Sequence, residues 1–225
     1  DQEPGKEKWD LSPLPFVELK KNFAKWQKEL YGCGWNSLFW NNHDLPRIVS
    51  RWGNDKEYRK ESAKMLATVL HGMQGTFPDI THYRDIETLH MYEERLEAGY
   101  KKEEILRSVY AKGRDNARTP MQWDDSKNGG FTDGTPWIEV NPNYLEINAK
   151  KEISDADSIY NYYKKLIKLR KENMVFTQGE FQLLLEEDPQ IFAYTRTTGE
   201  EMMCVIANFT DKPAPCRLPE TWQKK

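Results

Sequence analysis

Phe39-Trp40-Asn41-Asn42-His43-Asp44-Leu45-Pro46-Arg47 is the stretch on which the reading of the fold turns. It sets a histidine beside a carboxylate where an apolar run opens into polar, proline-stiffened sequence. Residues 35–40 follow Gly34 and carry Leu38 with Trp35, Phe39 and Trp40, the composition of a short, largely buried strand. Pro46 has no N–H to give to a ladder, so the strand must end before it. His43 and Asp44 are thereby predicted at the C-terminal mouth of a strand, where α/β folds place their chemistry. Taken alone, Asn42 to Asp44 could equally be the cap of a following helix.

Outward from that stretch, the pattern is helical on both sides. Upstream, Phe16, Leu19, Phe23, Trp26 and Leu30 recur at close to 3.6 residues and predict an amphipathic helix over 14–30. Downstream, Asn54 or Asp55 can cap a helix running through Met65, Leu66, Val69 and Leu70 to Gly72 or Gly75. Helix, strand, mouth residues and helix make the α/β rhythm of a parallel sheet. Further helices are predicted over 85–96, 102–112 and 155–170. Between them, residues 114–130 are polar and loop-like, and a loop of that length in a compact domain is usually functional or disordered. Trp123, Phe131 and Trp137 argue for order. From Gly179 the texture changes to short apolar runs at 181–185, 191–195 and 202–209, with turns at Glu187-Asp188-Pro189 and Thr198-Gly199-Glu200. These are antiparallel strands of a small β domain. The division falls near residue 178, giving 1–178 and 179–225.

Bulk properties exclude several classes. A net charge of −3 over 225 residues carries no basic excess, so nucleic acid is not an expected partner. No run approaches the roughly 20 apolar residues of a membrane span. The three cysteines, Cys33, Cys204 and Cys216, lack C-x-x-C spacing and read as reduced thiols of a cytoplasmic protein. Eight tryptophans and eleven tyrosines suit carbohydrate binding, but they suit ordinary cores as well. The chain starts at Asp1 and ends in a polar tail, so it is expected to be a piece of something longer.

Three blocks then act together: residues 35–47; Tyr83-Arg84-Asp85-Ile86-Glu87; and 113–125, Gly-Arg-Asp-Asn-Ala-Arg-Thr-Pro-Met-Gln-Trp-Asp-Asp. Pro136-Trp137-Ile138 and Asn141-Pro142-Asn143-Tyr144 follow. In this order the blocks resemble the α-glucosidase and oligo-1,6-glucosidase group of the α-amylase superfamily, glycoside hydrolase family 13, over its C-terminal part. The resemblance implies an α/β fold: the C-terminal part of a (β/α)₈ TIM barrel, then a small antiparallel β domain. It implies retaining hydrolysis of α-glucosidic bonds in oligosaccharides, which needs two carboxyl groups about 5–5.5 Å apart and no metal or organic cofactor. By the motif match, Asp44 would be a third carboxylate that stabilises the cationic transition state. His43 would bond a hydroxyl of the glucose in the −1 subsite. Arg114 would reach the same pocket with its planar fork of donors. Glu87 would face the next sugar. Arg118 and Asp115 read instead as charges that brace the loop.

The chain also departs from the family pattern. The nucleophile and the acid/base belong to upstream barrel strands, and no segment before Asp44 resembles either motif, so this polypeptide alone is expected to be inactive. Thr76 runs straight into Phe77-Pro78-Asp79, where the family has its eighth strand; about fifteen residues are absent there by the usual connection length. Leu45 stands where several relatives carry a glutamine, which leaves the linkage preference open. Trehalose-6-phosphate hydrolase and sucrose isomerase are neighbouring activities. A non-catalytic relative acting as a binding or structural module is the reading from another class, and the retained His43, Asp44 and Arg114 weigh against it.

Overall fold

The computed structural model describes residues 9–42, 44–73, 86–199 and 201–216; for residues 86–89, 92, 106, 110, 111 and 116 it describes the backbone only. The described residues group into two compact units, one drawn from 1–13, 39–55 and 79–161, the other from 14–38, 56–78 and 162–225.

The second unit is built on a three-stranded antiparallel sheet in the order β1 (Glu180–Leu184), β2 (Ile191–Thr198) and β3 (Glu201–Asn208). Leu183 pairs with Tyr194, and Tyr194 with Val205. Alternation sends Phe181, Phe192, Tyr194, Arg196, Val205 and Ala207 to one face, and all six are buried. Helix α1 (Phe16–Glu29) covers part of that face, with the Phe16 and Phe192 rings 6.4 Å apart and edge-on. The Tyr194 hydroxyl donates to the Val69 carbonyl at 2.6 Å, tying the sheet to a second helix of this unit, Arg59–His71.

The predicted stripe of α1 is rotated in the structure. Phe16, Lys20, Ala24 and Gln27 are the buried residues, while Trp26 is 44% exposed. The reason is polar. Lys20 Nζ donates to the carbonyls of Leu185, Asp188 and Ile191 at 2.6, 2.7 and 3.0 Å, closing the predicted turn between β1 and β2. Gln27 Oε1 accepts from Arg196 Nη1 at 2.7 Å. Buried carbonyls and a buried guanidinium need partners, and the helix turns to supply them.

The first unit holds α2 (Ile48–Trp52), α4 (Ile86–Glu97), α5 (Lys102–Lys112) and α6 (Ala149–Ser154); α3 is the Arg59–His71 helix of the second unit. Trp9, Met91 and Ile105 form a buried cluster here with Val109 packed against it. Arg95 clamps this corner through Asp10 at 3.0 Å. The helices expected over 85–96 and 102–112 are both present. The helix expected from Asn54 or Asp55 begins only at Arg59, and that expected from Asp155 is α7 (Ile159–Glu172), because Asp155 instead accepts from Asp157 N in a turn. A last short helix, α8, spans Val175–Gln178.

The strand expected over 35–40 is not there. Among these residues only Ser37 makes a single bridge, with Leu38 and Trp40 buried and Trp35 and Phe39 exposed. A strand is a shared object: without neighbours on both sides, an apolar run has no ladder to join. The junction at 74–79, with the absent strand expected after Thr76, lies outside the described residues. No helix among the described residues is long and apolar enough to cross a membrane.

Candidate active site around Asp44

Asp44 sits in a turn fixed by its neighbours. Its amide donates to Asn42 Oδ1 at 2.9 Å, an Asx turn. Asn41 Oδ1 accepts from the amide of Ile48, the first residue of α2, at 2.7 Å. The asparagines therefore do the local capping, and the Asp44 carboxylate is left for other partners. Those partners come from seventy residues away. Arg114 follows Gly113 at the end of α5 and opens a single 3-10 turn, Arg114–Ala117. Its Nη1 donates to Asp44 Oδ1 at 3.1 Å.

Arg118 adds a second cation. Its Nη2 lies 3.6 Å from Asp44 Oδ1 and its Nη1 3.4 Å from Asp115 Oδ1, with only 3% of the side chain exposed. The expected bracing by Arg118 and Asp115 is present, and Arg118 also reaches Asp44, which sequence reasoning missed. No local pattern signals that contact, because Asp44 and Arg118 stand far apart in the chain. Arg47 ties the two stretches through Nη2 to the Ala117 carbonyl at 3.4 Å. Asp44 itself stays half exposed. The result is an oriented carboxylate, backed by two guanidinium groups and open to solute on one side. Such a group can accept hydroxyl hydrogen bonds and stabilise positive charge in front of it.

Of the other expected site residues, His43 lies outside the described residues. Glu87 is the second residue of α4, and its side chain is likewise outside.

The polar stretch after Arg118 is ordered by its backbone. Trp123 N donates to the Gly129 carbonyl at 2.7 Å, and Gln122 Nε2 to Asn143 Oδ1 and the Ile147 carbonyl at 2.9 and 2.6 Å. Gly130 has φ +69°, and a Cβ there would stand 2.8 Å from Asp124 Oδ1, so a larger residue would be strained and would have to displace that carboxylate. Trp123, Phe131 and Trp137 remain substantially exposed, so hydrogen bonds rather than aromatic burial hold this loop. Among the described residues no group of three or more His, Cys, Asp or Glu is placed to hold a metal ion.

The pattern of the α-amylase catalytic domain matches residues 1–179, and that of the maltogenic amylase C-terminal domain matches 181–225. This chain belongs to the α-amylase family. Among curated α-amylase family relatives, the oligo-1,6-glucosidase of Parageobacillus thermoglucosidasius is 56% identical over 236 residues, which cover 98% of this chain and 42% of that protein. The probable oligo-1,6-glucosidase 2 of Bacillus subtilis is 50% identical over 240 residues, covering 100% of this chain and 43% of that protein. That alignment is longer than the 225 residues it takes in here, so about fifteen of its positions have no counterpart in this chain. The crystal structure of trehalose-6-phosphate hydrolase from Bacillus licheniformis superposes with a TM-score of 0.91 at 48% identity, over 95% of this chain and 41% of that one. The chain thus spans roughly two fifths of the length of the α-amylase family proteins it matches. The antiparallel C-terminal sheet expected from the resemblance is present as β1–β3.

Proposed function

We propose that this chain is the C-terminal share of a retaining α-glucosidase acting on the α-1,6 (or α-1,4) bonds of oligosaccharides. The observation that carries the reading is the Asp44–Arg114 contact, which joins two of the resemblance's three blocks in one half-open site. In the proposed mechanism, Asp44 accepts hydrogen bonds from glucose hydroxyls and stabilises the oxocarbenium-like transition state. Arg114 orients Asp44, and Arg118 fixes that pair from behind. His43 bonds a hydroxyl of the same glucose, and Glu87 faces the next sugar. The nucleophile and acid/base come from upstream barrel strands, so residues 1–225 alone do not turn over substrate. Carboxyl groups suffice for this chemistry, and no cofactor enters it. In domain terms, 1–178 belongs to the barrel and 179–225 opens the β domain. The exposed free thiol of Cys33 supports a cytoplasmic setting.

Oligo-1,6-glucosidase is favoured over trehalose-6-phosphate hydrolase by identity, 56% against 46% for the Bacillus subtilis trehalose-6-phosphate hydrolase. The test is glucose release by the whole protein from isomaltose, maltose and trehalose 6-phosphate. Preference for isomaltose supports the proposal; preference for the phosphorylated sugar selects the second reading; no hydrolysis of any would leave a binding module.

A further inference from the structure

Cys204 on β3 is in register with Thr195, and Ile206 with Ala193. Alternation therefore puts the Cys204 and Ile206 side chains on the sheet face that holds Ala193 and, across β1, Leu184. This is the face opposite Phe192, Tyr194 and Arg196, which turn to the helices. Beyond β3 the chain reverses direction around Asn208, whose Nδ2 donates to the Lys212 carbonyl at 2.7 Å and whose Oδ1 accepts from Thr210 N at 3.0 Å. It then lays Ala214 and Cys216 on Leu184, Ile191 and Ala193, the same apolar patch that Cys204 borders. Both thiols are free and half-buried. Burial raises the Cys204 thiol above its ordinary range, and Cys216 is near enough to raise it further.

We propose that Cys204 and Cys216 form a thiol pair that closes to a disulfide, stapling the segment after β3 onto the outer face of the sheet. With glutathione disulfide as oxidant, one thiolate attacks a glutathione sulfur, forming a mixed disulfide and releasing the first glutathione. The second thiol gives its proton to solvent and attacks the protein sulfur of that mixed disulfide, releasing the second glutathione. Two protein thiols are oxidised and one glutathione disulfide is reduced to two glutathiones. The resolving step is intramolecular, so it outruns a second attack by free glutathione disulfide. Cys33 is exposed and hydrogen-bonds through its thiol to the Glu29 carbonyl at 3.2 Å in the helical segment before it, where it serves as an internal control.

The experiment equilibrates the whole protein in glutathione buffers of rising oxidised fraction, alkylates the remaining thiols, and maps unreduced peptides by mass spectrometry. The expected result is a peptide linking Cys204 to Cys216, with Cys33 alkylated or carrying glutathione. The same link should form in Cys33→Ser, and Cys204→Ser should leave Cys216 trapped as its glutathione adduct. The oxidised chain should also melt higher than the reduced one, because a closed loop restricts the unfolded state. Separate glutathione adducts on Cys204 and Cys216, or alkylation of both under conditions where Cys33 reacts, would overturn the proposal. So would a link that forms only after denaturation.

Discussion

Asp44 meets both of its arginines through one carboxylate oxygen, Oδ1, at 3.1 Å for Arg114 and 3.6 Å for Arg118. Asp44 is half exposed, and ion pairs made by exposed carboxylates stabilise a fold by only about 0–1 kcal/mol. The buried Arg118 keeps Asp115 as a partner when Asp44 is neutralised. An electrostatic contribution to a cationic transition state is worth far more. On the proposed mechanism, Asp44→Asn in the whole protein is therefore expected to cut kcat by about 10²–10³-fold or more while barely moving the unfolding midpoint. A large loss of stability with a small loss of kcat would make the residue structural. Arg114→Lys should weaken turnover less, since the charge stays while the planar fork is lost. His71 makes a separate prediction. Burial, with Arg170 adding to it, lowers its imidazole from 6.5 to about 4. The folded state therefore binds a proton less readily than the unfolded chain. Its contribution to stability is complete above pH 6.5 and lost as the pH falls towards 4. Urea unfolding at stepped pH should show a shallower acid slope in His71→Gln than in the wild type; equal slopes would contradict the shift.

At the scale of elements, local signals located helices well. The α5 bounds Lys102–Lys112 coincide with those expected, since Gly113 stops the helix. The hairpin strands were legible because each pairs with the strand next to it in sequence, across a short turn. The 35–40 strand was misread for the converse reason, as its ladder partners are not supplied nearby. Burial on α1 was misread because Lys20 and Gln27 are drawn inward by carbonyls and a guanidinium that no periodicity reveals. In the site, Asp44 and Arg114 were identified through motif resemblance, and the seventy residues between them hide their contact from any local pattern. Arg118 on Asp44 had the same obstacle. One close approach can be tested directly. Gly72 caps α3, and a Cβ there would stand 2.0 Å from the Tyr194 hydroxyl, with φ in the ordinary range. Space and not backbone conformation demands the glycine. Gly72→Ala should displace Tyr194 from Val69 and cost about 1–3 kcal/mol, read by chemical denaturation. Tyr194→Phe should recover part of that loss by removing the clashing oxygen.

At the scale of the whole molecule, the proposed mechanism needs three carboxylates, and Asp44 is the one this chain is proposed to supply. The chain covers 42% of the Parageobacillus relative and aligns over more positions than it has residues with the Bacillus subtilis one. These coverages support the proposal that Asp44 serves a catalytic centre whose nucleophile and acid/base lie on polypeptide outside residues 1–225. The most direct measurement pairs the intact mass of the purified protein with its release of p-nitrophenol from p-nitrophenyl α-glucoside, in wild type and in Asp44→Asn. Activity confined to a species well above 26.6 kDa, and lost in the variant, is the expected result. Turnover by a species of 26.6 kDa that depends on Asp44 would contradict the claim.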